Sequence, residues 1–353
     1  MPTMLKQHPL FDGYWQSKRA DVEKIDVPVY CVASWSNPLH SVGTLNAWRA
    51  LSSSTPKWLR IHATQEWSDY YTDANVKDLQ RFFDRYLKDD RTTDWEMTPP
   101  VRISVLRFGL TNQPDTVNRY EMSFPLARTR YTRHYLTAQG ALHVDDPGLS
   151  ESHRVSYDGS TGQSSSFTYT MPAACETTGY FMAHLNMSCD GHDDMDVYVQ
   201  VEKLSADHHS RQGSWCVQPP NPVAKFVFKL MHDYQVGVTK TGPLFYWGPS
   251  GVLRASHALD REESSSTLYH PVYKHDREVK LQSGERRTLD IPLKAAALYW
   301  EKGDVLKFTV SGKEVVPFPI PGVSSPATRN AGKHVIHCGG LGPSSSYLLI
   351  PYV

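Results

Sequence analysis

Val27-Pro28-Val29-Tyr30-Cys31-Val32-Ala33 is an almost unbroken apolar run, preceded by Asp26 and followed by the polar loop 34–40. A strand that is apolar at successive positions, and not only at every second one, is a strand covered on both faces, as in a parallel sheet. The residues that follow extend the pattern: 43–51 has helical character, 58–63 is a second strand, and 74–87 a second helix. In that second helix Val76, Leu79, Phe82, Phe83, Tyr86 and Leu87 recur at helical spacing, and Thr72 or Asp73 is placed to cap its first turn. The order is β-α-β-α. Two parallel strands with two helices cannot cover both faces of a sheet, and a pair of strands is marginal in water. Either this unit packs on the remainder of the chain or a partner, a second copy or another polypeptide, completes its sheet.

After Pro99-Pro100 the periodicity changes to two, with Val197, Val199 and Val201 alternating with Tyr198, Gln200 and Glu202. Short strands are readable at 101–106, 134–138, 181–185, 288–293, 305–310 and 347–352, separated by clusters of Gly, Pro, Ser and Asp. Helix signals nearly vanish, and the spacing predicts an antiparallel sandwich or jelly roll. The chain therefore divides into an α/β unit over residues 1–95 and an all-β unit over 96–353. A length of 353 residues is compatible with two such units.

Lys+Arg and Asp+Glu both number 37, so no net charge draws the chain to nucleic acid or to an anionic membrane surface. No apolar run reaches the roughly 18 residues that span a bilayer, and the opening fifteen residues lack the apolar core of a secretory leader. Cys31, Cys175, Cys189, Cys216 and Cys338 are odd in number and scattered, without a Cys-x-x-Cys pair, which predicts neither a zinc site nor a disulfide framework. These features predict a cytoplasmic protein without metal or cofactor, unless a further N-terminal part carries other signals.

Several stretches together resemble the C-terminal portion of the cocaine-esterase and X-Pro dipeptidyl-peptidase group (CocE/NonD type) of α/β-hydrolases. They are Val32-Ala33-Ser34-Trp35-Ser36-Asn37 followed by Gly43-Thr44-Leu45, His62-Ala63-Thr64-Gln65-Glu66-Trp67, the helix segment 82–88, Pro100-Val101-Arg102-Ile103, Gly251-Val252-Leu253-Arg254-Ala255-Ser256-His257, the 271–275 segment, Gly284-Glu285, and Asn330-Ala331-Gly332-Lys333-His334-Val335-Ile336-His337. The resemblance implies a partial α/β-hydrolase unit followed by a jelly-roll, galactose-binding-like β-sandwich. It also implies hydrolysis of esters or X-Pro dipeptide amides by a serine, a histidine and an acid. In place of the family's acid this chain has Asn37, and in place of its histidine Glu66. Asn37 carries no charge to stabilise an imidazolium, and Glu66 is no imidazole. A shifted alignment would bring His62 or His40 into the site as base.

The Gly-x-Ser-x-x elbow of an activated serine has no counterpart, since Gly248-Pro249-Ser250-Gly251 and Gly159-Ser160-Thr161-Gly162 fall among strands of the sandwich. Either a catalytic part is missing or the chain works without one. The expectation is a small-molecule ester or peptide-like ligand with weak or absent hydrolysis. The alternatives are a binding module without catalysis, or a non-hydrolytic catalyst built on Glu66 and His62. Trp35, Trp67 and Tyr70 cluster near the two strand ends and are the candidate ligand contacts. Ser256, His257 and Asp260 read as structural, since neighbours in a strand face opposite ways, and the acidic run around Asp190–Asp196 reads as a solvated turn lacking calcium-loop spacing. His208-His209 reads as an exposed loop.

Overall fold

The computed structural model describes residues 2–37, 39–108, 115–148, 150, 152–207, 211–216, 223–224, 226–227, 230, 245–316, 328–339 and 345–353. His208 and His209 lie outside the described residues.

Strand β1 is Val29–Ser34, β2 is Lys57–His62, and they pair in parallel with Val29 opposite Lys57 and Ser34 opposite His62. Between them runs the helix Ser41–Ala50, and after β2 come a short helix, Glu66–Tyr70, and a longer one, Asp73–Leu87. Phe82 of the long helix packs in a ring cluster with Tyr30, Trp58 and Trp95, which fixes the helix against one face of the strands. Thr72 stands at its N-cap in extended conformation, but its hydroxyl donates back to Asp69 O at 3.0 Å and caps nothing.

The sheet gains two further strands from within the chain. Strand β3, Val101–Val105, adds parallel to β2, and β4, Thr116–Glu121, adds antiparallel to β3, giving the order β1-β2-β3-β4. This sheet extends past residue 95, the end of the α/β unit expected from the sequence. The pattern of β3 read as sandwich because a strand's own periodicity does not reveal which neighbour it joins.

Of the remaining strands, Ser214–Trp215 and Phe245–Tyr246 pair with each other, and the rest form two larger antiparallel sheets. One is built around the long strand Cys175–Asp190, flanked by Tyr347–Tyr352 and Lys333–His337 and also paired with Arg287–Trp300. The other is built around Asp196–Leu204, flanked by Val305–Ser311 and Ser250–Arg254. Phe181, Leu185 and Ile336 of the first sheet and Val199, Val201 and Phe308 of the second belong to one apolar core, which also takes in Ala33, Leu59, Ile61 and Ile103 of the β1–β4 sheet. The architecture is mostly β, with a sandwich onto which the mixed sheet is packed.

The strand Asp196–Leu204 alternates in sequence yet is buried on both faces, with Lys203 only 1% exposed. Its polar side chains are answered individually. Gln200 donates to Gly248 O at 2.9 Å, and Lys203 donates to Arg107 O and Tyr299 O at 3.0 Å and pairs with Asp304 at 2.7 Å. Leu106 N–H donates to Ala297 O, and Tyr299 N–H to Leu106 O, so the chain leaving β3 is hydrogen-bonded directly to Arg287–Trp300.

Candidate functional site

Because β1 and β2 are parallel and in register, the loops leaving their C-terminal ends meet, the usual place for a ligand in such a sheet. Ser34 Oγ donates to Thr64 O at 2.6 Å, and Trp35 N–H donates to His62 O at 2.9 Å. Trp35 is buried, with its indole N–H donating to Ser104 O at 2.6 Å and its ring against Phe124.

Asn37, also buried, has its side chain fully engaged. Its Oδ1 accepts the Leu39 N–H at 2.7 Å and the His40 N–H at 2.9 Å, an Asx turn that leads into the helix Ser41–Ala50. Its Nδ2 donates to Gln65 Oε1 at 3.3 Å and to Glu66 Oε2. Asn37 and Glu66 are thus in direct contact, and the contact joins an amide donor to a carboxylate acceptor. Such a pair is stable without any proton that could be passed on.

His62 lies elsewhere. Arg60 and His62 share one face of β2, two residues apart, and there Arg60 donates to both oxygens of Asp69 and to Tyr30 Oη, while Arg102 donates to Asp78. His62 Nδ1 is 3.6 Å from Asp69 Oδ1, and neither ring nitrogen has a hydrogen-bond partner. Burial, reinforced by the Arg60 charge, pushes its pKa down to about 4, so the ring is neutral at pH 7. His40 is exposed at the start of its helix. Trp67 and Tyr70, at 55% and 53% exposure, point to solvent.

A cavity of about 210 Å³ lies between the end of β1, the helix Ser41–Ala50 and the sandwich. Of the seven residues expected at the site, only Trp35 and Asn37 line it, and Glu66 touches it through Asn37. Leu45, Tyr180, Val252 and Leu293 supply apolar wall, and Asn46, Ser250, His270 and Lys294 supply polar groups. None of these eight stood out in the sequence as site residues. Ser250-Gly251-Val252 adjoins a motif that did, and Gly251 has a steric reason: a Cβ there would meet Pro292 O at 2.4 Å. Gln65, the second partner of Asn37, is held by its own N–H donating to Cys216 O at 2.6 Å. The Cys216 thiol is pushed up to about 12 by burial, which excludes it as a thiolate nucleophile. No group of three or more His, Cys, Asp or Glu side chains is arranged to hold a metal among the described residues.

A family model, the X-Pro dipeptidyl-peptidase C-terminal non-catalytic domain, matches residues 93–345. The chain belongs to this family. Two solved structures of a CocE/NonD family hydrolase from Staphylococcus aureus are similar to it over 100% of its length at 28% identity, with a TM-score of 0.84. An aminopeptidase from a Thaumarchaeota archaeon (13% identity, TM-score 0.67) and an α-amino acid ester hydrolase (14%, TM-score 0.61) share the fold over 99% of the chain. The chain spans 58–60% of the length of these structures. No curated protein sequence matches it. As an X-Pro dipeptidyl-peptidase C-terminal domain protein it is related to the CocE/NonD hydrolases, and among its described residues no helix is long and apolar enough to cross a membrane.

Proposed function

We propose that these residues hold a small ester- or peptide-like molecule in the cavity between the mixed sheet and the sandwich, and that they do not by themselves hydrolyse it through a serine–histidine–acid relay. In this reading the β1–β4 sheet is part of an α/β-hydrolase sheet, the sandwich is a jelly roll, and Asn37 and Glu66 occupy the places of acid and histidine. The observation that carries it is the saturation of Asn37, whose four hydrogen bonds leave no carboxylate to orient an imidazole and no imidazole where Glu66 stands. His62, the alternative base, is turned into a buried ionic layer away from the cavity. The test is intact mass after treatment with a fluorophosphonate, together with release of p-nitrophenol from p-nitrophenyl acetate. Unchanged mass and background turnover are expected. A stoichiometric adduct would overturn the non-hydrolytic reading, and peptide mapping would locate the nucleophile.

A second reading, an assembly module, is favoured by one observation. β1 is an edge of its sheet, and Val76, Phe83 and Leu87 of the neighbouring helix are 44%, 49% and 77% exposed on one face. Sedimentation showing a concentration-dependent dimer would support it, and a monomer that binds no hydrophobic dye would count against it.

A further inference from the structure

The polar groups on the cavity wall fall into two sets. Ser34 and Ser41 are committed, the first donating to Thr64 O and the second to Ser34 O, and Asn37 is saturated. The second set is Lys294, Asn46 and Ser250, together with the Tyr180 hydroxyl and His270 Nδ1, which have no hydrogen-bond partner among the described residues. Among the described residues the Lys294 ammonium and the Ser250 hydroxyl make no hydrogen bond or ion pair. Asn46 makes contact only through Oδ1, with His270 Nε2 at 3.3 Å, which leaves its NH2 group free. The His270 ring is held against Tyr180 with centroids 4.6 Å apart, so Asn46 is anchored at its acceptor end.

What remains open on the wall is the Lys294 charge with the Asn46 and Ser250 donors, together with Tyr180 Oη and His270 Nδ1, and no carboxylate. The apolar part of the wall is Trp35, Leu45, Val252, Leu293 and Ala295. We infer that this cavity is a site for a small carboxylate with a short apolar or aromatic body, whose carboxylate is received by Lys294 with Asn46 and Ser250. The inference deepens the ligand-holding reading of the same cavity and rests on it. An ammonium in a largely apolar surround, flanked by an amide NH2 and a hydroxyl and with no carboxylate to pair it, selects a charged, acceptor-only group. Burial lowers the Lys294 pKa, with the Glu314 charge opposing that shift, and a bound anion relieves the desolvation that burial imposes.

The experiment compares phenylacetate with phenylacetamide, equal in shape and different in charge, by isothermal titration and ligand-observed NMR on the 353-residue protein. Phenylacetate is expected to bind about tenfold tighter or more, the measure of one charge-assisted contact, and Lys294→Met is expected to abolish that preference. Equal affinities for the unaltered protein, or a preference that survives Lys294→Met, would overturn the inference while leaving the cavity as a ligand site. Binding of neither compound would overturn both. Should Lys294→Met fail to fold, as judged by circular dichroism, Ser250→Ala replaces it: a reduced acid-over-amide ratio supports the inference and an unchanged ratio overturns it.

Discussion

Asn37 shows how one atom changes what a contact can do. Replacing its amide by a carboxylate, Asn37→Asp, places two acids in direct contact at a buried position, and like charges so close raise the pKa of one of them. A folded-state pKa above the unfolded value gives a stability that is whole at acid pH and lost as pH rises through it. The variant is therefore expected to melt close to the parent at pH 4 and to be less stable by about 1–3 kcal/mol at pH 8. Equal melting at both pH values would disprove it. His62 has the opposite sign. Its pKa falls from an ordinary 6.5 to about 4 in the fold, so the unfolded chain takes up the proton first, and stability present above 6.5 is lost as pH falls towards 4. Urea unfolding at pH 7 and pH 5 is expected to show His62→Gln losing about 2 kcal/mol less than the parent over that interval. At this scale the sequence was legible in part. The two motifs singled out Asn37 and Glu66, which the structure joins by a hydrogen bond, whereas nothing marked the exposure of Trp67 and Tyr70, because an aromatic residue near a strand end carries no sign of which way it turns.

The strands and helices were legible where one local pattern, an apolar run or a helical spacing, carries through the element. The run from Val27 became β1, and 74–87 became the helix Asp73–Leu87. Lengths were underestimated where a strand changes partners along its course: 181–185 is the middle of Cys175–Asp190, and 288–293 lies within Arg287–Trp300. The motif residues that carried the family resemblance serve mainly as ties between elements. Arg254 pairs with Asp196 at 2.7 Å, Ser256 donates to Asp194 at 2.8 Å, and Asn330 donates to Asp196 O and Gly312 O. Two of the acids expected in a solvated turn, Asp194 and Asp196, are therefore buried partners. Gly251 is packed closely as well, against Pro292 O. Gly251→Ala is expected to force Ser250–Arg254 away from Pro292 and to destabilise by about 1–3 kcal/mol, readable as a lower urea midpoint. Parental stability would show that the two strands can separate freely.

For the molecule as a whole, the decisive fact is a core that runs without interruption from Leu59 and Ile103 to Phe308 and Ile336. Units joined in this way unfold together, so calorimetry is expected to show one transition, and two resolved transitions would contradict the shared core. Lys203 tests the junction from its polar side. Lys203→Met leaves Asp304 without its cation, and the carbonyls of Arg107 and Tyr299 lose their shared donor, an expected loss of about 3–5 kcal/mol in the same single transition. The sequence implied that two strands were too few for the sheet but not that β3 and β4 would join it. Pairing across a long connection is set by the geometry of the whole fold and leaves no local trace.

The cavity draws its walls from the β1 end on one side and from Ser250–Arg254 and Arg287–Trp300 on the other. A molecule lodged there works as a rivet: it can be gripped only while both plates are aligned, and gripping it keeps them aligned. Affinity and docking are then a single thermodynamic quantity seen from two directions. Loosening the plates far from the cavity, at Lys203, weakens the grip without touching the guest, and a saturating guest restores part of the stability that such a change removes.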